Sequence, residues 1–250
     1  MGPIRVLLMT LAFLLCASPQ TTHAEEAKQG ADSLQHRPYF EGWMRIDANL
    51  PLYQSHNPSG MHIGLIVSGH FVYTAPGIGP RFTGLLGLSA SDNHFLFSLY
   101  SGGSFSEEII RPGNLPLRTV AGLRINVLLP HHADLLHETM FFFRKDTPAE
   151  VLSQTELLSP PLDHKHLVAL GLKSLIEGNA ENPRADFKLL VGPQLSVWLL
   201  NDTLNSSHTK KLRPKVRVDA AYKIGPFWNE NRVDVAHELE AELLIIFGSN

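Results

Sequence analysis

Long runs of alternating side chains are the feature that most restricts how this chain can fold. In residues 232–247 one alternate set is almost entirely apolar, and the other carries Asp234, Glu238, Glu240 and Glu242. Successive side chains of a strand point to opposite faces, whereas a helix would mix the two sets around its circumference. The segment is therefore predicted to be a long, two-faced β-strand.

The same alternation recurs along most of the chain and predicts about ten to twelve strands. It is clearest in three further segments, 61–73, 186–200 and 215–224. Weaker strand candidates are 41–50, 82–90, 94–101, 121–129, 138–144 and 165–177, with 105–111 and 150–158 the least regular. Pro193 lies inside one of the clear segments and has no N–H for a ladder, so an edge, bulge or interruption is expected near Gly192.

These strands predict an all-β fold in a single domain, residues 38–250, arranged as an antiparallel up-and-down β-barrel. The clearest segments exceed the usual five or six residues of globular strands and are long enough to cross a bilayer obliquely. Alternation alone does not decide which face is buried. A soluble β-sandwich or a lipocalin-like barrel, with the apolar face inside, is the alternative.

Over residues 40–247 the pattern resembles that of outer-membrane β-barrels as a class. That resemblance implies location in the cell outer membrane, contact with its lipid bilayer, and dependence on export and barrel-assembly machinery. Two features fit it less well. Aromatic residues make up only 8% of the chain, and Gly248-Ser249-Asn250 follows Phe247 where such proteins usually end on the aromatic residue.

The N-terminus has the pattern of a cleavable secretory signal over residues 1–24. Arg5 precedes an apolar run, and Thr22-His23-Ala24 places small residues at the expected cleavage point. The only cysteine, Cys16, lies within this segment, so the predicted mature chain has no disulfide. Residues 25–37 are polar and small, and are predicted to form a disordered lead-in.

Charge and hydropathy exclude two other classes. The chain has 21 Lys and Arg against 24 Asp and Glu, without a dense basic tract, so nucleic acid is not an expected partner. No segment after the signal reaches 18 consecutive apolar residues, so no transmembrane helix is predicted.

The last two strands are predicted to pair as an antiparallel hairpin with complementary charges. Lys215, Arg217 and Lys223 would then lie on the same side as the carboxylates of the final strand, Glu238, Glu240 and Glu242. In a membrane barrel this side is the lumen, and these residues would form a lumen charge network.

Motifs for catalysis or metal binding are weak. His131, His132, Asp134 and His137 are the densest group of metal-ligating residue types, and on a helical turn Asp134 and His137 would share a face. A polar loop between two strands is the preferred interpretation of this segment. The chain has neither an HExxH nor a GxSxG motif, and no cofactor is predicted. The expected function is that of a non-enzymatic envelope barrel, either a small channel or a structural protein. The alternative is a soluble periplasmic or extracellular β-protein that binds or hydrolyses a small apolar ligand.

Overall fold

The structure is a computed structural model in which eleven segments of the chain are described. These segments are residues 39–55, 60–75, 80–92, 94–106, 118–130, 133–144, 147–162, 167–179, 187–200, 214–229 and 232–248. Each contains one strand. The strands are β1 (Tyr39–Tyr53), β2 (His62–Ala75), β3 (Arg81–Ser91), β4 (Phe95–Ser106), β5 (Arg118–Leu128), β6 (Asp134–Arg144), β7 (Thr147–Leu158), β8 (Val168–Asn179), β9 (Phe187–Leu200), β10 (Pro214–Asn229) and β11 (Arg232–Gly248).

The strands form one closed barrel in sequence order, with β1 next to β11. All consecutive strands pair antiparallel. An odd number of alternating strands brings the first and the last into the same direction, so β1 and β11 pair parallel, from Tyr39 opposite Glu238 to Asn49 opposite Gly248. The prediction of an all-β antiparallel barrel of ten to twelve strands is confirmed. The sandwich alternative is not observed, and the parallel closure was not predicted.

Alternation places the polar set inside this barrel and the apolar set outside. In β11, Glu238, Glu240 and Glu242 are at most 3% exposed, whereas the intervening Leu239 is 47% exposed. The same division holds around the ring, because the charged residues of every strand occupy the inward alternate positions. The usual arrangement of a water-soluble barrel, with apolar residues inside, is therefore reversed.

Part of the interior is nevertheless apolar. Trp43, Tyr100 and Phe142 are buried there, with Phe227 packed against the same group. Smaller apolar side chains from β2, β3, β5–β9 and β11 complete the cluster: Ile66, Val72, Leu85, Val120, Met140, Leu152, Leu175, Leu190 and Ala236. The barrel is thus filled by side chains, apolar in one part and charged in another.

The β9–β10 ladder is interrupted where the sequence predicts it. Pairing passes from Ala221 opposite Gln194 directly to Ile224 opposite Val191. A Cβ added to Gly192 would lie 1.7 Å from the carbonyl oxygen of Tyr222. Glycine at this position lets the two backbones approach more closely than any side chain would allow.

The described segments do not include the export signal at 1–24, the lead-in at 25–37 or the end of the weak candidate at 105–111. Its first two residues are the end of β4, and the candidate at 150–158 falls within β7. Among the described residues, no helix is long and apolar enough to span a bilayer.

Candidate functional site: the charged barrel interior

The interior carries an unusual number of charged side chains with almost no contact with solvent. Thirteen acidic and basic residues are at most 6% exposed. Eight are acidic: Glu41, Asp47, Glu138, Glu156, Asp219, Glu238, Glu240 and Glu242. Five are basic: Arg45, Arg124, Lys173, Arg217 and Lys223. Twelve of them fall into two groups of contacts, and the thirteenth, Glu41, accepts a hydrogen bond from Nε1 of Trp43 at 3.0 Å.

The first group, called the balanced cluster, consists of Arg45, Asp47, Arg124 and Glu138. Arg124 donates to Asp47 at 2.8 Å and to Glu138 at 2.7 Å. Arg45 contacts the same two carboxylates, at 3.1 Å for Asp47 and 3.3 Å for Glu138. Two cations thus share two anions, so formal charge cancels within the cluster.

Neutral neighbours complete the balanced cluster. The Tyr100 hydroxyl donates to Glu138, and the guanidinium of Arg124 lies 5.7 Å from the centre of the Tyr100 ring. Ser68 donates to Asp47 at 2.5 Å and contacts Nε2 of His70 at 2.8 Å. Buried carboxylates need several partners to offset lost hydration, and these side chains supply them.

The balanced cluster spans the width of the barrel. Arg45 and Asp47 belong to β1, Arg124 to β5 and Glu138 to β6. In a ring of eleven strands, β1 and β6 lie on opposite sides. The ion pair between Arg45 and Glu138 therefore connects facing walls across the interior.

The second group, called the acid-rich cluster, comprises five carboxylates and three cations from β7, β8, β10 and β11. Its members are Glu156, Lys173, Arg217, Asp219, Lys223, Glu238, Glu240 and Glu242. It is linked to the balanced cluster by a 4.0 Å contact between Arg45 and Glu242. Formal charge does not cancel here, because carboxylates outnumber cations.

Each cation of the acid-rich cluster serves more than one carboxylate. Lys173 lies 3.0 Å from Glu156 and 2.7 Å from Glu242, and also contacts Glu240. Lys223 contacts Glu238 and Glu240. This sharing lets three cations accompany five anions.

Arg217 completes these contacts on the β7 side. Its Nη2 lies 2.6 Å from Glu156 and 2.7 Å from Asp219. Asp219 uses only Oδ2 in this way, while its Oδ1 has no hydrogen-bond partner among the described residues.

Two sets of carboxylates come close enough to consider a metal ion. Oxygens of Glu41, Glu238 and Glu240 lie within 4.8 Å of one another, as do those of Glu156, Asp219 and Glu242. Oxygen donors of this kind suit hard cations. However, the amino groups of Lys173 and Lys223 and the guanidinium of Arg217 already stand among them, so the protein supplies much of the positive charge itself.

The structure brings most of the predicted lumen residues together. Lys223 lies opposite Glu238 in the β10–β11 ladder, and Glu240 and Glu242 share its buried face. Arg217 is on this face too, but its partners come from β7 and β10. Lys215 lies nearer the end of β10 and is half-buried.

The four metal-ligating candidates do not assemble into one site. Asp134 and His137 occupy opposite alternate positions of β6, so the former faces inwards and the latter outwards. His131 and His132 lie outside the described residues. Neither a helical turn nor a loop is correct from Asp134 onwards, because β6 begins at that residue.

Sequence reasoning missed the buried charges of the other strands, including Arg45, Arg124, Glu138 and Lys173. A signal was present, since each is a charged residue at an alternate position within a mainly apolar strand. Which of these charges meet depends on strand order around the closed barrel, and the alternation carries no such information.

Comparison of the chain with protein-family models, with curated proteins and with solved structures gives no match.

Proposed function

We propose that this protein is a membrane-spanning β-barrel of the cell envelope, and that it has a structural role rather than serving as an open channel. The observation that carries the proposal is the reversed alternation, with charged residues inside and an apolar outer surface. Around the described strands, no Asp, Glu, Lys or Arg occupies an outward alternate position. A continuous apolar exterior is costly in water and is required in lipid.

The size of the apolar surface supports a lipid environment. Leu86, Leu88, Leu99, Leu172 and Val235 are each more than half exposed. Similar outward residues occur on all sides of the ring, so the surface is a belt rather than a single binding patch. Soluble proteins rarely expose continuous apolar areas of this extent.

The strand lengths fit the same interpretation. The shortest strands have 11 residues, which corresponds to about 36 Å when extended. At a tilt of about 45°, this length spans an apolar band about 25 Å tall. Outward aromatic residues gather near one mouth, where the rings of Phe187 and Trp228 pack tilted with centres 5.3 Å apart, and those of Phe141 and Phe143 stack at 6.4 Å. Aromatic residues favour the membrane–water boundary.

The proposed closed interior follows from contacts that cross it. Arg45 of β1 reaches Glu138 of β6, and Arg81 of β3 lies 5.1 Å from the ring centre of Phe142 on β6. A solute would have to displace these side chains and leave buried charges without partners, which costs several kcal/mol. This barrier favours a structural barrel over a small channel.

Location in the envelope is supported by the N-terminal sequence. The pattern of residues 1–24 predicts export, and an exported barrel would need assembly machinery to enter an outer membrane. The outer membrane, its lipids and that machinery are accordingly the proposed site and partners.

Reconstitution tests the proposal. The purified chain, folded in the presence of phospholipid vesicles, is expected to float with the vesicles, resist extraction by alkaline carbonate and migrate differently on gels before and after heating. In planar bilayers it is expected to give no steady single-channel current. A folded chain that remains in solution without detergent would contradict membrane insertion, and regular openings of the wild-type protein would contradict only the closed interior.

A further inference from the structure

One part of the outer surface differs from the rest of the apolar belt. Five polar side chains, called the polar patch, lie at outward positions of β6, β7 and β8: His137, Thr139, Ser153, Thr155 and Ser174. Their sequence neighbours Glu138, Gln154, Glu156 and Lys173 are buried inside.

Strand pairing makes the patch continuous. His137 lies opposite Thr155 and Thr139 opposite Ser153 in the β6–β7 ladder, and Thr155 lies opposite Ser174 in the β7–β8 ladder. Apolar outward residues surround it on the same three strands, including Leu135, Phe141, Leu157, Leu170 and Leu172. The patch is therefore an uncharged polar area within a hydrocarbon-facing rim.

Three hydrogen-bond contacts join four members of the patch. Nδ1 of His137 lies 2.9 Å from the hydroxyl of Thr155, and Nε2 lies 3.0 Å from that of Thr139. The Thr139 hydroxyl is in turn 2.9 Å from that of Ser153. Three hydroxyls and one imidazole carry at least four hydrogens, and the three contacts use three of them. At least one donor and several lone pairs remain beyond this chain of contacts.

The number of adjoining polar residues distinguishes the patch from the other outward polar residues of the described strands. Ser101 and Thr119 are isolated, and His237 pairs with Tyr222 at 2.7 Å on β10 and β11. Lipid tails offer no hydrogen bonds, so a cluster of polar groups at mid-strand is unfavourable against them. In membranes, such groups commonly bond across an interface to another protein segment.

We propose that the polar patch is the contact surface of a two-fold dimer of this chain within the membrane. The inference rests on the proposed membrane location. A second copy is the occupant that the chemistry favours, because hydroxyls and neutral imidazole both donate and accept, and a surface of such groups is complementary to itself. Two-fold dimers require this self-complementarity. The patch has no formal charge that would select a charged partner.

Two histidine variants test the proposal by sedimentation equilibrium in detergent. The wild-type chain is expected to form a dimer. His137→Leu combined with Thr139→Val should raise the dimer dissociation constant at least about tenfold, because the variant loses hydrogen bonds between the two copies in the membrane. His237→Leu is the matched control, because it removes an outward histidine on another part of the ring, and it should leave the dimer unchanged. Heat-modifiable gel mobility checks that all three proteins remain folded.

Disulfide trapping in vesicles locates the contact. The chain has one cysteine, so Cys16→Ser gives a background without any. On that background Ser153→Cys or Ser174→Cys should form a covalent dimer on oxidation, and Leu195→Cys, which is 43% exposed on β9, should not.

Three results would overturn the dimer: a wild-type monomer, a dimer that the patch variant does not weaken, or trapping by Leu195→Cys alone. In native membranes, capture of a different protein by Ser153→Cys would also overturn it. A folded monomer that stays in the vesicles would contradict only the dimer. A folded protein that leaves the vesicles would contradict the proposed membrane location as well.

Discussion

The balanced cluster and the acid-rich cluster both bury charged side chains inside the barrel, but they differ in how their charges are paired. In the balanced cluster, two arginines and two carboxylates pair across the interior. In the acid-rich cluster, three cations accompany five carboxylates, and Oδ1 of Asp219 has no hydrogen-bond partner among the described residues. Every charge of the first cluster is needed for neutrality, whereas the second contains more negative charge than its cations match. The two should therefore respond differently to the loss of a charge.

The largest effect is expected from removing a cation of the balanced cluster. Arg124→Met would leave Asp47 and Glu138 with only Arg45 between them, in surroundings almost without solvent. Breaking a buried ion pair by deleting one partner costs about 3–5 kcal/mol. Urea unfolding of the barrel in lipid vesicles would measure this loss. A change below about 1 kcal/mol would indicate that water or rearrangement compensates, and would remove the distinction between the clusters.

A smaller and more discriminating effect is expected from matched neutralisations of two aspartates. Asp47→Asn removes the anion that Arg45, Arg124 and Ser68 share, and should cost about 1.5–3 kcal/mol. Asp219→Asn lowers the negative excess of its cluster, and Arg217 keeps Glu156 as a partner. Its unfolding free energy should change by less than that of Asp47→Asn, because the substitution brings the charge of its cluster closer to zero instead of unbalancing it.

The same unfolding measurement compares the two variants. Equal losses for Asp47→Asn and Asp219→Asn would contradict the difference in charge balance. A loss of stability confined to Asp219→Asn would indicate that the acid-rich cluster, and not the balanced cluster, depends on each of its charges.

The smallest effect is expected at an ion pair that belongs to neither cluster. Lys188 and Glu177 are 2.8 Å apart, with side chains 25% and 32% exposed. Lys188→Met should change stability by less than about 1 kcal/mol, because partly solvated pairs contribute little. A cost near that of Arg124→Met would indicate that this mouth of the barrel is as dry as its centre.

Much of the fold was predictable because alternation records which side chains share a face. The runs at 61–73 and 232–247 predicted β2 and β11 nearly to their ends, and Gly192 with Pro193 predicted the gap in the β9–β10 ladder. The parallel pairing of β1 with β11 was not predictable, because it depends on whether the number of strands is odd. If the predicted number of strands is wrong by one, the predicted closing pair changes from parallel to antiparallel or the reverse.

The site was predictable only where its members are neighbours in sequence. Lys223 and Glu238 meet within one hairpin, whose register follows from the alternation and the turn. Arg217 lies on the expected face, yet it contacts Glu156 of β7, and Lys173 of β8 takes its place beside Glu240. These contacts pass through the barrel interior between strands that are not adjacent, so their geometry appears only once the ring is closed.

The central claim is that the apolar face of this barrel meets lipid and its charged face does not. Tryptophan fluorescence in vesicles with brominated acyl chains tests it directly. Trp198→Phe with Trp228→Phe leaves Trp43, which faces inwards and is 5% exposed. A second protein adds Trp43→Phe and Leu86→Trp, which places the only indole at an outward position of β3, away from the polar patch. We expect brominated lipid to quench the second protein strongly and the first weakly. Equal weak quenching of both folded proteins, or stronger quenching of Trp43, would contradict the account.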